Sequence, residues 1–168
     1  MEKQTQFNHR NIAMGIHLAT FGKWLFPLGN FILPILLWMI NSKKSVFIDR
    51  HGKQAINFQL SITLWTVILA LIGGGVIIGS MISGGPTLWD QMDRDYFPFA
   101  ENMGIFSTIV ASGIICGTLI LALAIVDLVC TIKAAVKAHE GEMYHYPLTI
   151  NFIPDHPDHN EQETTNTN

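Results

Sequence analysis

The sequence predicts an all-α membrane protein with three to four transmembrane helices and a broken hydrophobic region near its N-terminus. Of its 168 residues, 49% are hydrophobic and 14% are charged, whereas about a quarter of the residues of soluble proteins are charged. The charges are also grouped into short stretches between long neutral runs. Two of these runs, 54–89 and 102–126, are each longer than the roughly 20 residues that cross about 30 Å of hydrocarbon.

The N-terminal hydrophobic region is the first element, and we expect it to be interrupted. It contains a third neutral run, 24–42, which is bordered on both sides by lysine. Inside this run, Pro27 and Pro34 each lack a backbone donor, and Gly29 is a further poor helix former. Residues 11–41 therefore cross the membrane once, cross it twice, or enter and return, and the sequence leaves these alternatives open.

The next two spans are predicted with clearer limits. The second span is placed at 58–82, and its helix begins near Lys53 at the membrane interface. The last helix is predicted from Met103 to His139, because no proline interrupts it and Gly141 stands where a helix stop is expected. At 1.5 Å per residue this helix is about 55 Å long, so it extends beyond the bilayer.

The distribution of Lys and Arg predicts the orientation in a bacterial inner membrane. The loop 41–53 is rich in basic residues, while the loop 84–101 is acidic and aromatic. By the positive-inside rule, the 41–53 loop and the C-terminus are cytoplasmic, and the acidic loop faces outward. The basic residues of the 41–53 loop are Lys43, Lys44, Arg50 and Lys53.

Three segments are predicted along the chain. Residues 1–10 form a flexible N-terminal arm, residues 11–153 form the transmembrane domain, and residues 154–168 form a disordered polar tail. The predicted partner of the domain is the lipid bilayer. A nucleic-acid partner is excluded, because the formal net charge is −3 and there is no dense basic patch.

Asp127 is the main candidate for a functional polar residue, because it is the only acid inside a long apolar stretch. An intramembrane carboxylate is by default a functional-site hypothesis. However, about 22 residues from Ile105 already cover the hydrocarbon thickness, which places Asp127 at the cytoplasmic boundary. There it pairs with Arg50, Lys53 or His51, or it serves a proton or ion relay.

A second candidate is the polar face at the start of the second span. Lys53, Asn57 and Ser61 share this face by the i, i+4 rule, where they either bind a neighbouring helix or line a substrate path. The full candidate polar membrane cluster consists of His17, Asp49, His51, Lys53, Asn57, Gln59 and Asp127.

Small residues at one-turn spacing predict close helix packing. Gly75 and Gly79 in the second span, and Gly113 and Gly117 in the last helix, allow two backbones to approach. They predict a close contact between these two spans, or a homo-oligomer.

Several motifs together resemble a known family. The bacterial Tic-twenty-like membrane protein family, catalogued as domain of unknown function forty-eight-seventy, is similar over residues 11–153. The resemblance implies a small multi-pass helical protein, and its analogy with plastid protein import implies a part in protein translocation or membrane assembly. The 84–101 loop is long for that family. The residues that carry the resemblance are His17-Leu18, Pro27-Leu28-Gly29-Asn30 with Pro34 and Trp38, Phe47-x-Asp49-x-His51-Gly52-Lys53-x-Ala55-x-Asn57-Phe58-Gln59, and Tyr144-x-Tyr146-Pro147-x-Thr149-Ile150-x-Phe152.

The predicted function is that of a non-enzymatic accessory or channel-like subunit that works through membrane-protein partners. The chain has no Walker loop, zinc-protease motif, nucleophile elbow or dinucleotide fingerprint. No catalytic residue, cofactor or metal is therefore predicted. The alternative is a small ion or solute transporter, and it would use Asp127, Lys53, Asn57 and His17.

Overall fold

A computed structural model describes residues 2–83 and 103–154, and within these ranges the chain is all-helical, with no strand. The acidic loop 84–101 and the tail from residue 155 lie outside the described residues. The described residues divide into two compact units, one of residues 2–62 and 127–154 and the other of residues 63–83 and 103–126. The helices are α1 (Glu2–Ala19), α2 (Gly29–Asn41), α3 (Val46–Ser83) and α4 (Met103–Glu140), with 3₁₀ turns at Thr20–Trp24 and Ser42–Lys44.

Two of the described helices are long and apolar enough to cross a membrane. They are α3 and α4, each of 38 residues, with mean hydropathies of 2.2 and 2.7 in their most apolar windows. The predicted limits of the last helix agree with α4 to within one residue, and Gly141 ends it with a positive φ of 90°. The predicted number of three to four transmembrane helices is not confirmed, because neither α1 nor α2 meets the same criterion.

The expected interruption of the N-terminal hydrophobic region is confirmed. A 3₁₀ turn follows α1, and Leu28 then adopts a left-handed conformation with φ 63° just before α2 begins. Gly22 and Gly29 bring the two ends of this turn together, since a Cβ on Gly29 would lie 2.1 Å from the Gly22 carbonyl oxygen. Pro34 lies inside α2 without ending it.

The first residues of the chain differ from the expected flexible arm. Residues 2–10 form the first half of α1, and their side chains are largely exposed. This stretch has no glycine or proline, and it continues directly into residues that pack in the first unit. A helix propagates from an ordered segment far more readily than it nucleates alone, which accounts for the difference.

The apolar core of the first unit is small and joins its first three helices. Ile16 of α1 and Ile48 and Ala55 of α3 are fully buried, and Ile12 and Trp38 pack against them. Small side chains of α4 are buried in the same unit, including Ala134 and Ala138. Burial of this apolar surface holds α1 and α2 against the N-terminal part of α3.

The second unit packs differently from the prediction based on its glycines. Within this unit, the close approach of α3 and α4 occurs at Gly73, where a Cβ would lie 2.9 Å from the Cys116 sulfur. The Ser112 hydroxyl also reaches the Gly73 carbonyl oxygen at 3.4 Å. The two spans do make a close contact, but a Cβ built on any of the four glycines of the prediction meets no described atom within 4 Å, and contact through them in a homo-oligomer stays a prediction. Those positions are Gly75, Gly79, Gly113 and Gly117.

Candidate functional site

The polar residues of the first unit converge on Asp127, which is only 2% exposed. Lys23, from the turn after α1, donates to one carboxylate oxygen and forms an ion pair with it. Gln59 of α3 donates to the other oxygen at 2.8 Å, and Thr131 lies 3.4 Å from that same oxygen. Asn30 of α2 donates in turn to the Gln59 side-chain oxygen at 3.1 Å. We call these five residues the Asp127 cluster.

The contacts within the cluster satisfy the buried carboxylate of Asp127 and join separate parts of the unit. Both carboxylate oxygens accept hydrogen bonds, and the negative charge faces a lysine. A buried charge that lacks such partners is strongly unfavourable, so the pairing explains how the acid is tolerated. The cluster also joins the turn after α1 with α2, α3 and α4.

The cation of this ion pair is Lys23, whereas sequence analysis named Arg50, Lys53 or His51. Lys53 forms an ion pair with Asp49 at 2.7 Å, and His51 bonds to another histidine. Lys23 marks the edge of a neutral run in the sequence. Two isolated opposite charges in apolar surroundings are a signal for pairing, and this signal would have matched Lys23 with Asp127.

A hydrogen-bonded row connects three further residues in the same unit. The Tyr146 hydroxyl lies 2.8 Å from His17 Nδ1, and His17 Nε2 lies 2.8 Å from His51 Nδ1. Both histidines are fully buried. The last atom of the row, His51 Nε2, is buried without a hydrogen-bond partner among the described residues.

Tyr146 links this row to the aromatic packing of α3. Its ring stacks on Phe58, with centroids 4.1 Å apart and planes inclined by 21°. Burial, and secondarily the charge of Asp127, raise the pKa of Tyr146 well above its ordinary value. The phenol therefore stays protonated and can either donate to His17 or accept from it.

Trp38 explains a second part of the 47–59 motif. Its indole nitrogen donates to Asp49 at 2.9 Å, and Asp49 also pairs with Lys53 one turn further along α3. The indole lies directly against Gly52, where a Cβ would be 2.1 Å from the ring. Only glycine allows α2 and α3 to approach this closely, which explains the presence of Gly52 in the His-Gly-Lys motif.

The C-terminal segment, residues 141–154, has no regular helix or strand, and hydrogen bonds join it to α3. The Asn57 side chain makes two bonds of 2.9 Å with the backbone of Ile153, one from its amide nitrogen and one to its amide oxygen. The Ser61 hydroxyl accepts from the Ile150 amide at 2.8 Å. The face of Asn57 and Ser61 thus binds this segment.

All seven polar residues predicted from sequence lie in the first unit, but they belong to separate groups of contacts. Gln59 binds Asp127, His17 binds His51, Lys53 binds Asp49, and Asn57 binds the backbone of Ile153. Sequence analysis missed several members of the polar contacts, namely Lys23, Asn30, Trp38, Thr131 and Tyr146. No group of three or more His, Cys, Asp or Glu side chains in residues 2–83 and 103–154 is placed to hold a metal ion.

A cavity of about 220 Å³ lies elsewhere in the first unit. It shares no lining residue with the Asp127 cluster or with the histidine row. Arg10 packs against Gly141 at its edge, where the absence of a Cβ on Gly141 leaves room for the guanidinium. The cavity is lined by Gln6, His9, Arg10, Ser45, Phe47 and Gly141.

Comparison with known proteins corrects the resemblance to Tic-twenty-like proteins. Residues 8–153 match the family model of MamF and MmsF, described as the magnetosome magnetite crystal formation protein family. No curated protein and no solved structure matches the chain. Some of the residues quoted for the earlier resemblance, such as His17, His51 and Phe58, are fully buried in the first unit, and such residues indicate an architecture more directly than a family. Because the match covers most of the sequence, the chain belongs to the MamF/MmsF magnetosome magnetite crystal formation protein family.

Proposed function

We propose that this protein is a multi-pass, non-enzymatic accessory component of the membrane in which magnetite crystals form. Membership of the MamF/MmsF family supports the link to crystal formation. The two long apolar helices support insertion into a membrane. In this proposal the protein acts as a scaffold that holds a defined surface at the membrane and works through other proteins.

The observation that carries the scaffold role is the pairing within the Asp127 cluster. A transport path needs polar groups that can exchange partners with a passing ion or solute. Here Asp127 is 2% exposed, and both of its oxygens are bound by Lys23 and Gln59. These contacts join four parts of the unit, which favours a structural role for the cluster over a relay.

The test replaces the ion pair by an apolar pair in a magnetite-forming cell. The double variant Lys23→Met with Asp127→Leu removes every charge from the cluster, and apolar replacement of a buried ion pair is often tolerated. For a scaffold, cells that contain the double variant at wild-type level form crystals of wild-type number and size, as measured by electron microscopy. Loss of crystals while the protein remains folded and abundant would favour ion transport through Asp127.

A second measurement addresses how the protein acts. Purification of the tagged protein in gentle detergent, followed by mass spectrometry, is expected to recover other membrane proteins of the crystal-forming compartment. The matched control lacks residues 86–100, the acidic loop between the two long helices. Recovery of the protein alone as a discrete oligomer would contradict action through partners.

A further inference from the structure

The hairpin formed by α1 and α2 carries a large apolar surface that the described residues leave uncovered. At its turn, Trp24 is 81% exposed, Leu25 is 79% exposed and Leu28 is 64% exposed. We propose that this hairpin is a membrane anchor that lies in one leaflet and does not cross the bilayer, with lipid acyl chains as its partner. The inference rests on the membrane location proposed above. The exposed apolar residues that continue along α2 are Ile32, Leu36, Leu37, Met39 and Ile40.

Neither helix of the hairpin is long enough to cross. In α1, residues 2–11 are almost all polar, and the apolar part, 12–19, is about 12 Å long at 1.5 Å per residue. The 13 residues of α2 give about 20 Å. The hydrocarbon core measures about 30 Å, so each helix reaches only part of the way through it.

The two helices run in opposite directions, so both open ends lie on the same side. Gly22 and Gly29 meet at the closed end of the hairpin. Further along, Ile12 of α1 and Trp38 of α2 pack against the same buried residues of the first unit. The start of α1 and the end of α2 therefore lie at the opposite end of the hairpin from the turn.

Charge follows the same division between the two ends. The open end carries His9 and Arg10 on α1, and Lys43 and Lys44 follow α2. Such residues suit the headgroup region, where Lys and Arg interact with water and anionic lipids. By contrast, residues 24–42 contain no charged side chain at all.

Lys23 is the one charge in the turn at 20–29, and its contact fits a lipid environment. A lysine is among the costliest residues in hydrocarbon when it has no partner. Lys23 turns toward Asp127 within the unit, while its neighbours Trp24 and Leu25 are almost fully exposed. The turn thus pairs its one charge with a buried carboxylate of α4, and its most exposed side chains are apolar.

The test labels single cysteines placed at exposed positions with a membrane-impermeant maleimide. Asn8→Cys reports the start of α1, Lys43→Cys reports the chain after α2, and Leu25→Cys reports the turn. Inside-out and right-side-out vesicles are compared, and the wild-type chain, with Cys116 and Cys130, measures background labelling. We expect Asn8→Cys and Lys43→Cys to react in the same vesicle preparation, and Leu25→Cys to be protected in both.

A second readout places the turn in lipid directly. A fluorophore on Leu25→Cys, attached in detergent before reconstitution, is expected to lose most of its emission when the phospholipids carry spin labels on their acyl chains. The same fluorophore on Asn8→Cys is the matched control and should keep its emission. Leu25 is 79% exposed, so this substitution leaves the packed residues untouched.

Each other outcome overturns the hairpin anchor. Reaction of Asn8→Cys and Lys43→Cys in opposite preparations means that the region crosses once. Reaction of Leu25→Cys from the side opposite to both means that it crosses twice. If Leu25→Cys reacts from the same side as Asn8→Cys and Lys43→Cys, and spin-labelled lipids do not quench its fluorophore, the turn lies in water. Release of the whole protein by alkaline carbonate would instead refute the membrane location itself, which separates failure of the proposed function from failure of this inference.

Discussion

The two units of the molecule differ in which side chains they bury and which they expose. In the first unit, the fully or nearly fully buried side chains include His17, His51, Gln59 and Asp127. In the second unit, large apolar side chains point outward along both helices, and Leu71 is 71% exposed. The second unit is unlike a water-soluble fold, because exposed apolar patches of this extent are rare on soluble monomers.

This difference shows which interactions determine the structure of each unit. In residues 63–83 and 103–126, hydrophobicity and helix length suffice, since any apolar side chain satisfies a lipid surface. In the first unit, most contacts need one residue type at one position, as Gly52 beneath Trp38 shows. Substitutions should therefore have different effects in the two units, and the following experiments test this comparison.

The largest effect is expected from Asp127→Asn. The change leaves Lys23 facing an uncharged partner, and breaking a buried ion pair typically costs about 3–5 kcal/mol, with the lower end expected because the Lys23 side chain is 32% exposed. Thermal unfolding in detergent measures the loss. The double variant Lys23→Met with Asp127→Leu should recover most of it. Unchanged stability of the single variant would contradict a structural role for the pair.

A charge on the outer face of the second unit tests its lipid environment. Leu71→Lys places a lysine near the middle of the apolar part of α3, where insertion carries an apparent cost of about 2.5–3.5 kcal/mol. We expect a smaller membrane-inserted fraction in a glycosylation-based insertion assay, while Leu71→Met should insert normally. Equal insertion of both variants would mean that this face does not contact hydrocarbon.

Two glycines give a matched pair across the units. Gly52→Ala forces a methyl group into the Trp38 ring, and such overpacking costs about 1–3 kcal/mol. Gly75→Ala adds its methyl group to open space and should be neutral or stabilising by up to about 1 kcal/mol, because alanine favours a helix. The shift in unfolding midpoint measures both. A similar loss at Gly75 would reveal a helix contact at that position.

The smallest effect is expected from alkaline pH, and it should be confined to the first unit. Burial raises the pKa of Tyr144 to about 12 and also raises the pKa of Tyr146 well above its ordinary value. Since the unfolded chain ionises near pH 10 and the folded chain does not, these groups favour folding below pH 10, and this stability is lost as pH rises from about 10 to 12.

Unfolding followed between pH 8 and pH 12 measures this dependence. Tyr146→Phe removes the ionisable group and keeps the stacking on Phe58, so its stability should fall less steeply with pH. An identical slope for the variant and the wild type would show that Tyr146 does not contribute.

Several features of the first unit could be predicted from sequence because they depend on local chemistry. The break near Gly29 follows from a turn with glycine and two nearby prolines, and the end of α4 follows from Gly141. The face of Asn57 and Ser61 follows from helical spacing. The helical state of residues 2–10 was missed, because it comes from continuation of α1 and not from any cap or periodic pattern in those residues.

Which polar residues bind each other could not be predicted in the same way. Lys23 and Asp127 are 104 positions apart, and the pairing of Tyr146 with His17 spans 129 positions. Spacing along one helix carries no information about such contacts. The glycine pattern of the second unit shows a related limit of sequence patterns, since small residues permit close approach at many positions, and among the glycines in residues 63–83 and 103–126 the close contact within the chain is at Gly73.

The sequence by itself determined the environment of this protein and the elements it forms: long neutral runs produce long apolar helices, and isolated polar residues mark where those helices become a packed unit. Tertiary structure alone decided which polar groups meet. The physical reason is that a buried charge or amide must be satisfied by some partner, but many residues are chemically able to serve. Only the packing of α1, α2, α3, α4 and the C-terminal segment brings Lys23 to Asp127 and Tyr146 to His17.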